Sequence, residues 1–318
     1  MKQVLDLLMA VNLDIHLWSA RKKLTATDLG GAVLPPGDLA SLGSKRICNP
    51  DDIKNFATLK SRAISMLDKH GVRFLSGWAI PDTKAQMLLD ELNNIKAEFN
   101  QTKIDFLNSY DDSVQDWIAR HPQWSGIIAG STVSKEYVSS RLSFNWQMFK
   151  VVPPFGDMAT ELHECTDSLG LTLFDEISKA AKDTWQRCFE GKSEITRKAL
   201  SPLKSIHQKL VGLSFLEPRV TPIEELIAAA LNSVPQRGAI TDNLLTMLRG
   251  LICLLQNPAT LLSYGQHLLD GQCNQNDVLH SFLQQDQGVP SLDIDDSDNE
   301  HQDTYDSPTQ LIESHGLW

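Results

Sequence analysis

The hydrophobic pattern of the chain predicts a few strands among many helices. Apolar and polar residues alternate over residues 10–18, and this period of two is typical of a strand with one buried face. The apolar runs 72–80 and 144–152 each end at a proline and predict two further strands. Together with a helix between the first two strands, they predict a small α+β head, formed by residues 1–81 with 136–154.

Two long helical regions are predicted at residues 82–135 and 155–215. In the first region, apolar positions between Leu88 and Phe106 step alternately by three and four, which is the spacing of a coiled-coil seam. We expect the two regions to pair as a long antiparallel hairpin, although pairing with another chain is left open. Shorter apolar helices at 216–283 follow. The predicted fold is therefore mainly α, with a small α+β head, a coiled-coil-like hairpin and C-terminal helices.

The charge of the protein is concentrated near its C-terminus. Residues 1–249 hold all 29 Lys and Arg residues and 29 of the 40 acids, so the net charge of −11 arises after Arg249. Because residues 284–308 are acidic and poor in large apolar groups, 284–318 is predicted to be a disordered acidic tail. Its end regains apolar residues that could dock into a groove of a partner, namely Leu311, Ile312, Leu317 and Trp318. A frayed terminus is the alternative.

Composition excludes several classes of protein. No run of about 18 apolar residues occurs, so no membrane-spanning helix is expected. The N-terminus shows no small-residue cleavage site of a secretory signal. The five cysteines are widely scattered, which fits neither a disulfide framework nor a zinc site. These features predict a cytoplasmic protein, and they leave its oligomeric state open.

No catalytic, cofactor-binding or metal-binding residue is assigned from the sequence. Residues 37–45 only superficially match a phosphate-binding loop, because Ser44 follows Gly43 where a lysine is required. His163 and Asp167 could share a helix face with Glu164 nearby, yet the two-histidine pattern of a metalloenzyme is missing. We therefore expect no enzyme and no cofactor, and we keep a metal-dependent enzyme as an alternative.

A second alternative is a component that binds single-stranded nucleic acid. Basic groups interleaved with aromatic rings can contact phosphates and stack on bases. The residues of this kind are Trp18, Arg21, Lys22, Lys23, Arg141 and Trp146. The competing interpretation is that the aromatic rings belong to the core of the head, with the basic groups in solvent.

Several separated stretches resemble one known family. DIHLWSARKKL, LASLGSKRI, LKSRAISMLDKHGVRFLSGWAIP, WIARHPQW and STVSKEYVSSRLSFNWQMFKVVPP occur in order within about residues 10–215. They resemble domain-of-unknown-function family 3150, bacterial proteins that plasmids and integrative conjugative elements often carry. The family has no assigned catalytic residues to transfer.

The resemblance implies a role beside other proteins. Family members often have as neighbours a MoxR-like AAA+ ATPase, similar to the cobaltochelatase small subunit, and a von Willebrand factor A protein. The leading expectation is therefore a non-enzymatic adaptor or scaffold for these partners, in phage defence or in maintenance of a mobile element.

Overall fold

The computed structural model describes residues 2–30, 43–153 and 160–284, and it confirms a mainly helical protein with a small antiparallel sheet. The N-terminal elements are α1 (Lys2–Asp6), β1 (Leu8–His16), β2 (Arg21–Lys23), β3 (Ser44–Arg46), α2 (Lys54–His70), β4 (Val72–Phe74), β5 (Gly77–Pro81), α3 (Ala85–Arg120), α4 (Ser125–Ala129), α5 (Lys135–Ser140) and β6 (Ser143–Phe149). They are followed by α6 (Thr160–Asp167), α7 (Leu169–Thr184), α8 (Ser201–Leu213), α9 (Val220–Asn232), α10 (Asp242–Leu255), α11 (Pro258–Leu269) and α12 (Gln275–Gln284).

Four strands form the main sheet in the order β4-β5-β1-β6, with every neighbouring pair antiparallel. The apolar run predicted as one strand over 72–80 is instead a tight hairpin, β4 and β5, since the chain turns at Leu75 and Ser76. Gly77 is required beside this turn. A Cβ atom there would lie 2.1 Å from the carbonyl oxygen of Val11 on β1.

The two faces of the sheet bury different sets of side chains. One face carries Val11, Trp78 and Phe144, which pack with α2 and α3 in one hydrophobic cluster. We call this the first layer. The opposite face carries Phe74 and Ala79, which pack in a second cluster with residues of α7 to α12. We call that the second layer, and it covers the β4–β5 end of the sheet.

The predicted pairing of 82–135 with 155–215 is not the arrangement found. The buried residues of α3 all belong to the first layer: Leu88, Leu92, Ile95, Phe99, Phe106, Tyr110 and Val114. Those of α7 and α8, such as Leu173 and Leu210, belong to the second layer. The 36-residue helix α3 packs instead against α2, α5 and β6. Its three-four spacing marks an apolar face correctly, but the sheet and α2 cover that face.

The predicted C-terminal helical region, 216–283, ends in a helix that packs on the second layer. Helix α12 buries Val278, Leu279 and Phe282 against the second layer. No single helix in the described ranges is long and apolar enough to cross a membrane; α10 and α11 together reach that length, but the chain bends by 107° between them. The predicted tail, 284–318, lies outside the described residues except for its first residue. The predicted domain boundaries stay predictions.

Candidate functional site

A cleft opens where the two layers meet. It has a volume of about 690 Å³ and lies between α2, β4, α7 and α8. Its charged lining residues are Asp68, Lys69, Arg73, Glu176, Lys179, Asp183, Arg187 and Lys209. Because helices of the first layer and of the second layer both line it, the cleft marks the contact between the two halves of the core.

The base of the cleft is a buried ion pair. Lys209 on α8 is 7% exposed, and its ammonium group donates to Glu176 Oε2 on α7 at 2.5 Å and to the carbonyl oxygen of Asp68 on α2 at 2.7 Å. A buried charge requires such partners, since an unpaired ammonium group in a core is strongly destabilising. Lys209 therefore joins α8 and α7 to α2, across the two layers.

Glu176 also closes one edge of the sheet. Its other carboxylate oxygen, Oε1, accepts a hydrogen bond of 2.8 Å from the backbone N–H of Arg73, on the edge strand β4. The Arg73 guanidinium lies over the Trp78 ring at 4.0 Å and reaches Asp68 Oδ1 at 3.0 Å, which also accepts from Trp78 Nε1 at 2.7 Å. The polar groups at the base of the cleft thus bind one another, and this role is structural.

A second site is a basic ribbon, which we define as strands β2 and β3. Their register places Arg21 opposite Arg46 and Lys22 opposite Lys45, with Lys23 opposite Ser44. Five of the six residues are therefore basic, and all are exposed except the half-buried Lys45. Like charges directly opposite each other repel, so the ribbon is electrostatically suited to an anionic ligand.

Two contacts anchor the basic ribbon to the rest of the protein. Lys45 forms an ion pair with Asp28, which also accepts hydrogen bonds from Thr25, and these contacts lower the pKa of Asp28 to about 2. On the same strand, β3, Trp117 near the end of α3 donates its indole N–H to the carbonyl oxygen of Arg46 at 3.4 Å. Asp28 is the one carboxylate in the described ranges with a salt bridge to a ribbon cation.

The third candidate is the free edge of β6. This seven-residue strand pairs with β1 along its whole length and ends the sheet on that side. Among the described residues, no backbone hydrogen bond reaches its outer edge from outside the ladder. A side-chain hydrogen bond does reach the strand: Lys96 Nζ on α3 donates to Asn145 Oδ1 at 3.3 Å. This edge contrasts with β4, whose Arg73 amide is bound by Glu176.

The structure separates the residues predicted to contact nucleic acid. Trp18 is 8% exposed and packs on Phe106 and Tyr110, so it belongs to the core. Trp146 is half-buried against the first layer. Arg141 stacks on Tyr137 at 5.2 Å, on a different element from the ribbon. Arg21, Lys22 and Lys23 remain together and exposed on β2.

The other predicted sites gain no support in the described ranges. His163, Glu164 and Asp167 are exposed on α6, and no three His, Cys, Asp or Glu side chains within the described segments lie close enough to hold a metal. The possible docking residues Leu311, Ile312, Leu317 and Trp318 lie outside the described residues.

Comparison with known families places the chain in one of them. A family model described as "Protein of unknown function (DUF3150)" matches residues 5–257. The chain belongs to the DUF3150 family. The match confirms the resemblance seen in the sequence and covers all three sites of this DUF3150 protein, but it stops before α11. Searches of curated proteins and of solved structures give no match.

Sequence reasoning missed half of the ribbon and all of the ion-pair network in this DUF3150 protein. Lys45 and Arg46 lie more than 20 residues after Lys22, so their pairing depends on a turn that the sequence does not mark. The available signal was a second basic pair, Lys45-Arg46, before the next helix. Lys209 and Glu176 carry no local signal, because charged residues on a helix normally face solvent.

The ion pair at the base of the cleft predicts that substitutions of Lys209 and Glu176 have non-additive effects on the free energy of unfolding. Lys209→Met leaves the Glu176 carboxylate without its main counter-charge and is expected to lower the free energy of unfolding by about 3 kcal/mol. Glu176→Gln keeps an oxygen for the Arg73 N–H but removes the charge. In urea denaturation the double variant should lose less than the two single variants together, with a coupling of about 1–3 kcal/mol. Additive losses would show that the two charges do not stabilise each other.

Proposed function

We propose that this protein is a non-enzymatic adaptor that works in the cytoplasm with a MoxR-like AAA+ ATPase and a von Willebrand factor A protein. The identity of these partners comes from the family resemblance, which also suggests a mobile element and a role in its maintenance or in phage defence. The observation that carries a protein-binding role is the free edge of β6.

An unpaired strand edge presents backbone N–H and C=O groups that another chain can use to extend the sheet. Proteins usually block such edges with charged side chains, prolines or a covering element. In this protein the β4 edge is closed by Glu176, whereas β6 contains no charged residue and no proline. This difference between the two edges supports β6 as the binding edge.

The side chains around β6 suit a protein partner. Along the strand, exposed Asn145, Gln147 and Phe149 alternate with half-buried Trp146 and Met148. Phe149 is 39% exposed at its end, and Val152 three residues later is 80% exposed. An added strand would gain backbone hydrogen bonds from the edge and apolar contacts from these two residues. We therefore assign the docking of the partner to β6.

The test is co-purification of the full chain with the proteins encoded beside its gene. The unmodified protein should retain the ATPase or the von Willebrand factor A protein at near-stoichiometric amounts. Gln147→Lys places a charge beside the edge, which disfavours strand addition, and should lower the retained partner at least about tenfold.

Gln272→Lys is the matched control, because it makes the same charge change at an exposed position after α11, in the second layer. Retention should be unchanged in this variant. The adaptor proposal fails if the unmodified chain retains neither neighbour. The assignment to β6 fails if Gln147→Lys and Gln272→Lys retain equal amounts.

A second candidate function is binding of single-stranded nucleic acid by the basic ribbon. The observation that favours it is the clustering of five cations on two short paired strands. Phosphate contacts of this kind do not depend on base identity, and they release counterions when they form. The ribbon would therefore bind a nucleic-acid backbone without sequence preference.

The salt dependence of oligonucleotide binding tests whether the ribbon contacts phosphates. Binding of an oligothymidylate, followed by fluorescence anisotropy, should weaken steeply as salt rises. Replacing two cations, in Lys22→Gln/Lys23→Gln, should make the slope of log K against log salt shallower by about 1.4, or about 0.7 for each lost contact. A slope that is flat, or that is the same in both proteins, removes nucleic-acid binding at the ribbon.

A further inference from the structure

The basic ribbon has more positive charge than its surroundings neutralise. Two of its three cross-strand pairs, Arg21 with Arg46 and Lys22 with Lys45, oppose like charges. In the part of the chain that the structure describes, only Lys45 has a salt-bridge partner. Two acids just before α2, Asp51 and Asp52, follow the ribbon in sequence, but Asp52 is already bound by Ser113 of α3. An anionic ligand would relieve the cross-strand repulsion.

The same chain contains a segment of complementary charge. Residues 285–318 contain no Lys or Arg and nine acids: Asp286, Asp293, Asp295, Asp296, Asp298, Glu300, Asp303, Asp306 and Glu313. Residues 1–249 are neutral in sum, so this segment accounts for most of the net charge of the protein. We propose that the basic ribbon is the docking surface for the acidic segment 285–318 of the same chain.

The segment is long enough to reach the ribbon from any point on the protein. The described chain ends at Gln284, and 34 residues remain after it. Fully extended, 34 residues span about 110 Å at about 3.3 Å each. A folded domain of this size has a radius of gyration of about 19 Å, and hence a diameter near 50 Å. Asp303 and Asp306, about 20 residues beyond Gln284, can therefore reach the ribbon.

Tethering favours this occupant over a free polyanion. A segment of the same chain is present at an effective concentration that reaches the millimolar range for short linkers. Individual exposed ion pairs are weak and screened by salt, so docking depends on several pairs acting together. A nucleic acid would have to displace the segment before it reached Arg21 or Lys22. This inference does not rest on the adaptor proposal, because the two use different surfaces.

Zero-length carbodiimide cross-linking of the full chain tests the docking, since it joins a carboxylate to an amine only in direct contact. At about 20 mM salt, mass spectrometry should find the acids of 285–318 joined mainly to Lys22 and Lys23, since Lys45 is already paired with Asp28. At about 0.5 M salt the yield should fall at least about fivefold. A mixture of ¹⁵N-labelled and unlabelled protein separates links within a chain from links between chains.

The charge of the ribbon can be changed without removing the reactive amines. Arg21→Gln/Arg46→Gln keeps the exposed Lys22 and Lys23 and should lower their cross-link yield several-fold. Lys198→Gln/Lys204→Gln is the matched control, because it removes two exposed cations elsewhere in the chain and should leave the yield unchanged. Circular dichroism and thermal melting confirm that both double variants are folded.

Three results would overturn the proposal. The acidic segment could link equally to lysines outside the ribbon, such as Lys179 and Lys198. The links could form between chains only, which would make the occupant a second copy. Alternatively, oligothymidylate could bind equally well to the full chain and to a chain ending at Gln284, which would show that the segment does not occupy the ribbon. None of these results bears on partner retention through β6.

Discussion

The ion pair between Lys209 and Glu176 links the two halves of this protein. Glu176 receives the buried ammonium group of Lys209 on one oxygen and the backbone N–H of Arg73 on the other. The first contact joins two helices of the second layer, and Lys209 continues to the carbonyl oxygen of Asp68 in the first layer. The second contact closes the β4 edge of the sheet. Without this group, a charge would be buried unpaired and a strand edge would be open.

The sequence predicted the helices and strands better than it predicted which of them pack together. The alternation in residues 10–18 located β1, and the apolar seam from Leu88 to Phe106 lies within α3. An apolar seam shows only that one face of a helix is buried, and either a second helix or a sheet can cover that face. The predicted hairpin was therefore wrong, because α3 lies on the sheet and α2. Local patterns likewise could not show that 72–80 folds back on itself.

The candidate sites illustrate the same limit. Trp18 and Trp146 were grouped with basic neighbours in the sequence, but burial places both rings in or against the core. The basic ribbon keeps only Arg21 to Lys23 from that prediction and gains Lys45 and Arg46 through strand pairing. Strand pairing between distant segments is a property of the fold, so composition alone could indicate the charge but not its geometry. The free edge of β6 likewise depends on the order of the strands in the sheet, which local sequence patterns do not show.

The β4 edge of the sheet is closed and the β6 edge is free, and amide hydrogen exchange tests this difference most directly. In native buffer, the Arg73 amide should exchange about 1000-fold or more slower than an unstructured amide, as expected for a bond that opens only with the layers. Along β6, slow amides bonded to β1 should alternate with fast amides on the outer edge. Fast exchange at Arg73, or slow exchange at every position from Ser143 to Phe149, would contradict the account.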